Sequence, residues 1–231
     1  MGELLDRHAV QVGHAFVADG LMLLANITTA YNGVLDTKIG MDDTVVIFGQ
    51  GLIGLLVTQL VRRSSARQLI TVDRFPARRA MSERLGADMT LDPAAVDVAM
   101  EVRKLTGGRG ADAVIEVSGS YAALQEAIRT AAPNTTVTAM SWYGGTGESL
   151  RLSDEFHHNR ITIKCSQVGA VDPRRSATWS LGRRGEAVTR AFGYLDLEQL
   201  LTTYVPFGEA ARGYDLVDNH SDQMIQVVLQ Y

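Results

Sequence analysis

Short continuous apolar runs alternate with stretches of helical spacing along most of this chain. Thr44-Val45-Val46-Ile47-Phe48 is an unbroken apolar run, the pattern of a strand buried on both faces. From Gly51 to Arg63 the apolar positions Leu52, Leu55, Leu56 and Leu60 recur at helical spacing. The same alternation continues with a strand at Leu69–Val72, a helix at Ala77–Leu85, a short strand at Met89–Leu91 and a helix at Ala94–Leu105. A strand at Ala113–Val117, a helix at Tyr121–Ala131, a fifth strand at Thr135–Met140 and a sixth at Ile161–Cys165 complete the series. Six strands separated by helices predict parallel pairing through right-handed crossovers, an α/β doubly wound sheet of the Rossmann kind. Outside this unit, which spans 39–173, the head 1–38 reads as helical around Leu21–Leu35. The tail 174–231 predicts a helix near Glu186–Phe192, another near Glu209–Val217 and a last strand near Met224–Leu229. The tail is too small to bury a core of its own and is expected to pack on the sheet unit or on a partner.

Composition narrows the function classes. The chain has 231 residues, 46% hydrophobic and 21% charged, with a net charge of −4. That balance fits a globular domain and gives no electrostatic case for nucleic acid or an anionic membrane. The pairs Arg174-Arg175 and Arg183-Arg184 read as solvated surface charge. Cys165 is the only cysteine, so neither a disulfide scaffold nor a multi-cysteine zinc cage is possible within the sequence. Met1–Val10 lacks the pattern of a signal peptide, and the apolar stretch at Gly20–Ile27 is too short to cross a bilayer. Cytoplasmic residence is the default expectation.

The most informative motif is Gly49-Gln50-Gly51-Leu52-Ile53-Gly54. Three glycines at this spacing are common by chance, and their context carries the argument: they end an apolar strand and open a helix. Gly49 permits the tight turn, Gly51 lets backbone approach a diphosphate, and Gly54 lets the helix pack on the strand. The amides of Leu52, Ile53 and their neighbours, at the positive end of the helix dipole, then receive the anion. Asp73 ends the second strand, 19 positions beyond Gly54. A carboxylate there accepts the ribose hydroxyls of NAD and repels a 2′-phosphate. Arg74, Arg78 and Arg79 follow at once and leave NADP open. The glycine groups at 107–110 and 144–147 read as ordinary turns.

With these motifs in place the sequence resembles the medium-chain dehydrogenase/reductase superfamily, the zinc-type alcohol, threonine and sorbitol dehydrogenases. The likeness runs through Thr28-Thr29-Ala30-Tyr31, Thr44–Gly54, Thr71-Val72-Asp73 with Arg78, Leu85-Gly86-Ala87-Asp88, Ala111–Gly119 and Phe207–Tyr231. It implies a nicotinamide cofactor lying in a cleft, with Thr29 near the nicotinamide and Val117, Ser118 and the turn after Met140 lining the cofactor. Backbone near Ser166–Val168 would face the carboxamide. It also implies a homodimer through the sixth strand, since an open parallel edge is a liability that pairing removes.

The resemblance also marks what the sequence does not carry. The family's N-terminal GroES-like catalytic domain, with its zinc ligands, has no counterpart. The position that often holds a third zinc ligand falls in Leu24-Ala25-Asn26, without thiolate or carboxylate. No zinc is therefore expected. Gln226 stands where many relatives carry a basic residue for the pyrophosphate, and Ser141-Trp142-Tyr143 places bulk where small residues are usual. Without zinc, a side chain must handle the substrate proton, and Tyr31, Tyr143, His157 and His158 are the candidates. His8 and His14 read as ordinary head residues. Three functions follow: a zinc-independent NAD(P)-dependent oxidoreductase acting on a small alcohol or carbonyl, a repurposed domain catalysing a redox-neutral step in the old cofactor cleft, or the cofactor-binding half of a split dehydrogenase.

Overall fold

The computed structural model describes residues 21–231. Of the expected helical head, the part before Leu21, with His8, His14 and Met1–Val10, lies outside the described residues. Helix α1 (Leu24–Asp36) leads into β1 (Thr44–Phe48), α2 (Leu52–Arg62), β2 (Gln68–Val72), α3 (Pro76–Arg84) and β3 (Met89–Leu91). Then follow α4 (Val98–Leu105), β4 (Ala113–Glu116), α5 (Tyr121–Thr130), β5 (Thr136–Ala139), the short α6 (Glu155–His158) and β6 (Thr162–Cys165).

The six strands form one parallel sheet in the order β3-β2-β1-β4-β5-β6. The chain moves outward from β1 to β3, returns, and moves outward again from β4, so the strand order reverses between β1 and β4. A crevice opens at such a reversal beyond the carboxyl ends of the strands, where ligands of open α/β sheets bind. β1 is buried along its whole length. Its side chains alternate between two cores. Val45 and Ile47 join Ile27, Leu55, Leu56, Leu69 and Val188 on one face. Val46 and Phe48 join Ile70, Val98, Val102, Leu124 and Ile128 on the other. Truncating Leu56, fully buried here, to alanine is expected to cost about 2–5 kcal/mol.

Capping explains several boundaries. The Asp97 carboxylate accepts the Met100 amide at 3.0 Å, so α4 starts at Val98 and not at Ala94. The Ser120 hydroxyl caps α5, and the Ser180 hydroxyl caps the helix that opens at Leu181, in the same way. The tail is longer in structure than expected. Helix α7 (Leu181–Ala191) begins at its Ser180 cap, not at Glu186, and a strand that was not anticipated, β7 (Thr203–Pro206), precedes α8 (Ala210–Asn219) and β8 (Val227–Gln230). β7 and β8 pair in parallel as a separate two-stranded sheet. Val188, Ala191, Leu195, Leu197, Leu200, Leu201 and Val228 join the core beside α1 and α2, which is how the tail finds its buried surface. Its outer side leaves Phe207, Tyr214, Val217 and Tyr231 exposed.

One expectation is corrected by burial. Arg184 is not solvated surface charge: it is 8% exposed and donates to Asn32 Oδ1 at 2.6 Å and to the Val168 carbonyl at 2.8 Å. A buried guanidinium is tolerated because acceptors meet it. Arg174 remains at the surface but is bound to Asp172 at 2.9 Å.

Candidate functional site at the carboxyl ends of β1 and β4

The glycine turn sits at the crevice, and its three glycines answer to different constraints. Gly49 has φ +95°, and a Cβ there would lie 2.8 Å from the Ser118 backbone. A Cβ on Gly54 would lie 2.0 Å from the Gly49 carbonyl oxygen. The fold itself therefore excludes side chains at both. Gly51 is different: its φ of −73° and ψ of −170° suit any residue, and the nearest atom to a Cβ there is Arg78 Nη1 at 3.6 Å. Nothing among the described residues requires glycine at 51. An open cradle at that point is what a diphosphate needs.

No side chain caps α2, in contrast to α4, α5 and α7. Among the described residues no hydrogen bond engages the amides of Gly51, Leu52, Ile53 or Gly54. These orphan donors and the helix dipole together favour an anion. The Gln50 side chain folds inward, donating to the Gly49 carbonyl at 2.9 Å and accepting from Thr58 Oγ1 at 2.8 Å, so it does not fill the cradle. Asp73 stands beside the turn: Oδ2 accepts the Gln50 amide at 2.7 Å and Oδ1 the Phe75 amide at 2.8 Å. Each oxygen retains accepting capacity for a hydroxyl. The donor set, amides for a diphosphate and a carboxylate for a diol, fits a dinucleotide.

The other predicted cofactor residues are distributed around this crevice. Val117 donates its amide to the Phe48 carbonyl at 2.9 Å, and Ser118 packs against Gly49. Thr29 lies one turn before Gly33 on α1, and Gly33 abuts Met140 at the end of β5, so Thr29 shares the face that meets the sheet's carboxyl edge. Its hydroxyl donates to the Ala25 carbonyl. The Ser166–Val168 segment is tied down by Asp36, Asn32 and Arg184. Arg79 is engaged by the Asp73 carbonyl and by Asp92, whereas the guanidinium of Arg74 lies over the Phe75 ring. Trp142 is 93% exposed.

The four candidate proton-handling residues separate. His157 and His158 are exposed on α6, which precedes β6 and so lies at the amino ends of the strands, away from the glycine turn. Tyr31 packs toward Trp179, ring centroids 6.0 Å apart. Tyr143 stands at the carboxyl end, where its hydroxyl donates to Glu116 Oε2. Glu116 ends β4, is fully buried, and also accepts the Ser118 amide at 2.7 Å and the Ser118 hydroxyl at 2.5 Å. No cation pairs with it among the described residues. Burial, and then the Glu116 carboxylate, push the Tyr143 phenol far above its usual range, so it stays protonated. Glu116 was not singled out from sequence; a lone acid at the end of an apolar run, Ala113-Val114-Ile115-Glu116, was the available signal.

Comparison with known proteins decides the lineage. The family model described as zinc-binding dehydrogenase matches residues 53–181, and D-guloside 3-dehydrogenase of Escherichia coli K12 is 35% identical over 205 residues, 86% of this chain. The chain belongs to the zinc-binding dehydrogenase family. An alcohol dehydrogenase of Cupriavidus necator is a further relative, 30% identical over 88% of this chain. A Sinorhizobium meliloti protein described as a zinc-binding dehydrogenase and solved with NADP shares the fold, with a TM-score of 0.74 and 24% identity over 90% of this chain and 58% of its own. The chain spans 57% of the Escherichia coli relative and 54% of the Cupriavidus relative. For the metal in the family's name, the described residues hold no group of three or more His, Cys, Asp or Glu side chains able to bind it. The donor set here does not fit a catalytic zinc site, which needs three protein ligands, and no step is drawn through one. No helix among the described residues is long and apolar enough to cross a membrane.

Proposed function

We propose that this zinc-binding dehydrogenase family chain is an NAD-dependent oxidoreductase interconverting a small alcohol and its carbonyl, with the proton carried by side chains and not by zinc. The observation that carries this reading is the open cradle at Gly51, with unengaged amides on one side and Asp73 on the other. Gly51–Gly54 would hold the diphosphate and Asp73 the adenosine ribose, whose carboxylate partner favours NAD over NADP. The bound nicotinamide would supply hydride acceptance and donation. Tyr143 would accept the substrate hydroxyl proton while passing its own to Glu116, so the phenol remains neutral throughout. Its raised pKa suits a relay of this kind, and Glu116 would receive the proton, with no cation paired to it among the described residues. Ser118 and the Ser118 amide hold the carboxylate in place during the transfer.

The test is steady-state oxidation and reduction of a panel of secondary alcohols and ketones with NAD and NADH. Wild type should turn over at least one pair, and Tyr143→Phe and Glu116→Gln should each lower kcat by about 10²–10⁴ while leaving NADH affinity unchanged. Binding of NADH with no turnover on any substrate contradicts the redox reading. A second reading, the cofactor-binding half of a split dehydrogenase, is favoured by the isolated parallel pair β7–β8 and the exposed aromatic residues beside it. It predicts that activity appears only when a catalytic module on another chain is added.

A further inference from the structure

We infer that Arg78 is the cation for the dinucleotide's diphosphate, aimed at it by the C-terminal segment Ser221–Met224; this rests on the dinucleotide reading above. From its position five residues after Asp73, Arg78 was expected at the ribose. Its guanidinium feels the Asp73 carboxylate and also reaches toward the glycine turn, Nη1 standing 3.6 Å from the point where a Cβ on Gly51 would be. Nη2 donates to the Ser221 carbonyl at 2.5 Å and lies 3.5 Å from the Met224 carbonyl. The Phe75 ring lies 4.9 Å away. Two backbone carbonyls and an aromatic ring thus fix the planar group, just ahead of β8.

The arrangement is incomplete without an anion. Arg78 Nε is buried and has no hydrogen-bond partner among the described residues, an expensive state for a charged donor. A diphosphate seated on the amides of Gly51–Gly54 would bring acceptor oxygens to this side of the turn. Gln226 supplies no charge, and its side-chain amide is bonded to the Val227 carbonyl at 2.8 Å. The charge that β8 lacks comes from α3, and the tail contributes the carbonyls that orient it. A diphosphate cation acts on every ligand that carries the diphosphate, whereas a reader of the 2′-phosphate acts on NADPH alone.

Calorimetric titration of the full chain with NADH, NADPH and ADP tests this. Arg78→Met should weaken all three by a similar factor, roughly ten- to a hundredfold, with the melting temperature preserved. Arg78→Lys keeps charge but not the planar fork and should show a smaller loss shared by all three; it serves as the probe should Arg78→Met not fold. A loss confined to NADPH assigns Arg78 to the 2′-phosphate and overturns the inference. Unchanged affinities in both variants overturn it while leaving the dinucleotide reading intact. Failure of wild type to bind any of the three removes both.

Discussion

Replacing Gly51 with alanine separates what the fold requires from what a bound dinucleotide requires. The backbone at Gly51 is extended, with φ −73° and ψ −170°, so alanine fits without strain, and its methyl group would meet nothing closer than Arg78 Nη1 at 3.6 Å. Loss of a glycine at a helix N-cap costs several tenths of a kcal/mol, and reduced freedom of the unfolded chain returns about 0.4–1 kcal/mol. Stability should therefore stay within about 1 kcal/mol of wild type. The methyl group nonetheless points into the cradle and holds a phosphate off the amides. Loss of one hydrogen bond to a charged group is worth about 1.5–3 kcal/mol, about ten- to a hundredfold in affinity at 1.4 kcal/mol per decade. Gly54→Ala is the opposing control, because its Cβ would stand 2.0 Å from the Gly49 carbonyl oxygen. It should unfold at markedly lower denaturant, with a cost of at least 1–3 kcal/mol. Urea unfolding together with NADH titration of both variants gives the readout. A Gly51→Ala protein that is stable and binds NADH within twofold of wild type refutes the reasoning.

Further outcomes follow from other parts of the molecule. Asp172 is buried, bound by Arg174 and Lys164, and its carboxyl is held well below the usual range by those hydrogen bonds. With the folded pKa depressed, its contribution is present above about pH 4 and is lost as pH falls through the folded value. Asp172→Asn should cost about 1–3 kcal/mol at pH 7 and progressively less in strong acid, as read by urea unfolding at a series of pH values. β6 forms one edge of the sheet, and Thr162 and Ser166 direct their amides to β5, which leaves the Cys165 amide facing outward. Sedimentation should show a homodimer at micromolar concentration, and Cys165→Pro should convert it to a folded monomer; a wild-type monomer counts against edge pairing.

The strongly periodic parts of the fold were readable from sequence, because the physics that sets them is local. All six strands of the main sheet, the glycine turn and Asp73 follow from apolar runs, turn residues and their spacing. The tail was harder. The start of α7 is hidden by Gly182, Arg183, Arg184 and Gly185, which look like surface loop until Arg184 is seen to satisfy Asn32, 152 positions away. β7 is only four residues, ends in Pro206, and exists because β8 pairs with it. The contacts on which the proposed roles rest are of the same kind. The link between Glu116 and Tyr143, and the hold of Ser221 on Arg78, depend on contacts across 27 and 143 positions, for which a single sequence carries no signal. His157 and His158 were attractive as chemistry and were misplaced only by topology: the loop before β6 returns to the amino end of the sheet.

The most direct test of the central claim is a crystal structure of the chain grown with NADH. The account predicts the diphosphate on the amides of Gly51–Gly54 and the adenosine ribose hydroxyls on Asp73. Dinucleotide density elsewhere on the molecule, or an empty glycine turn at millimolar NADH, contradicts it.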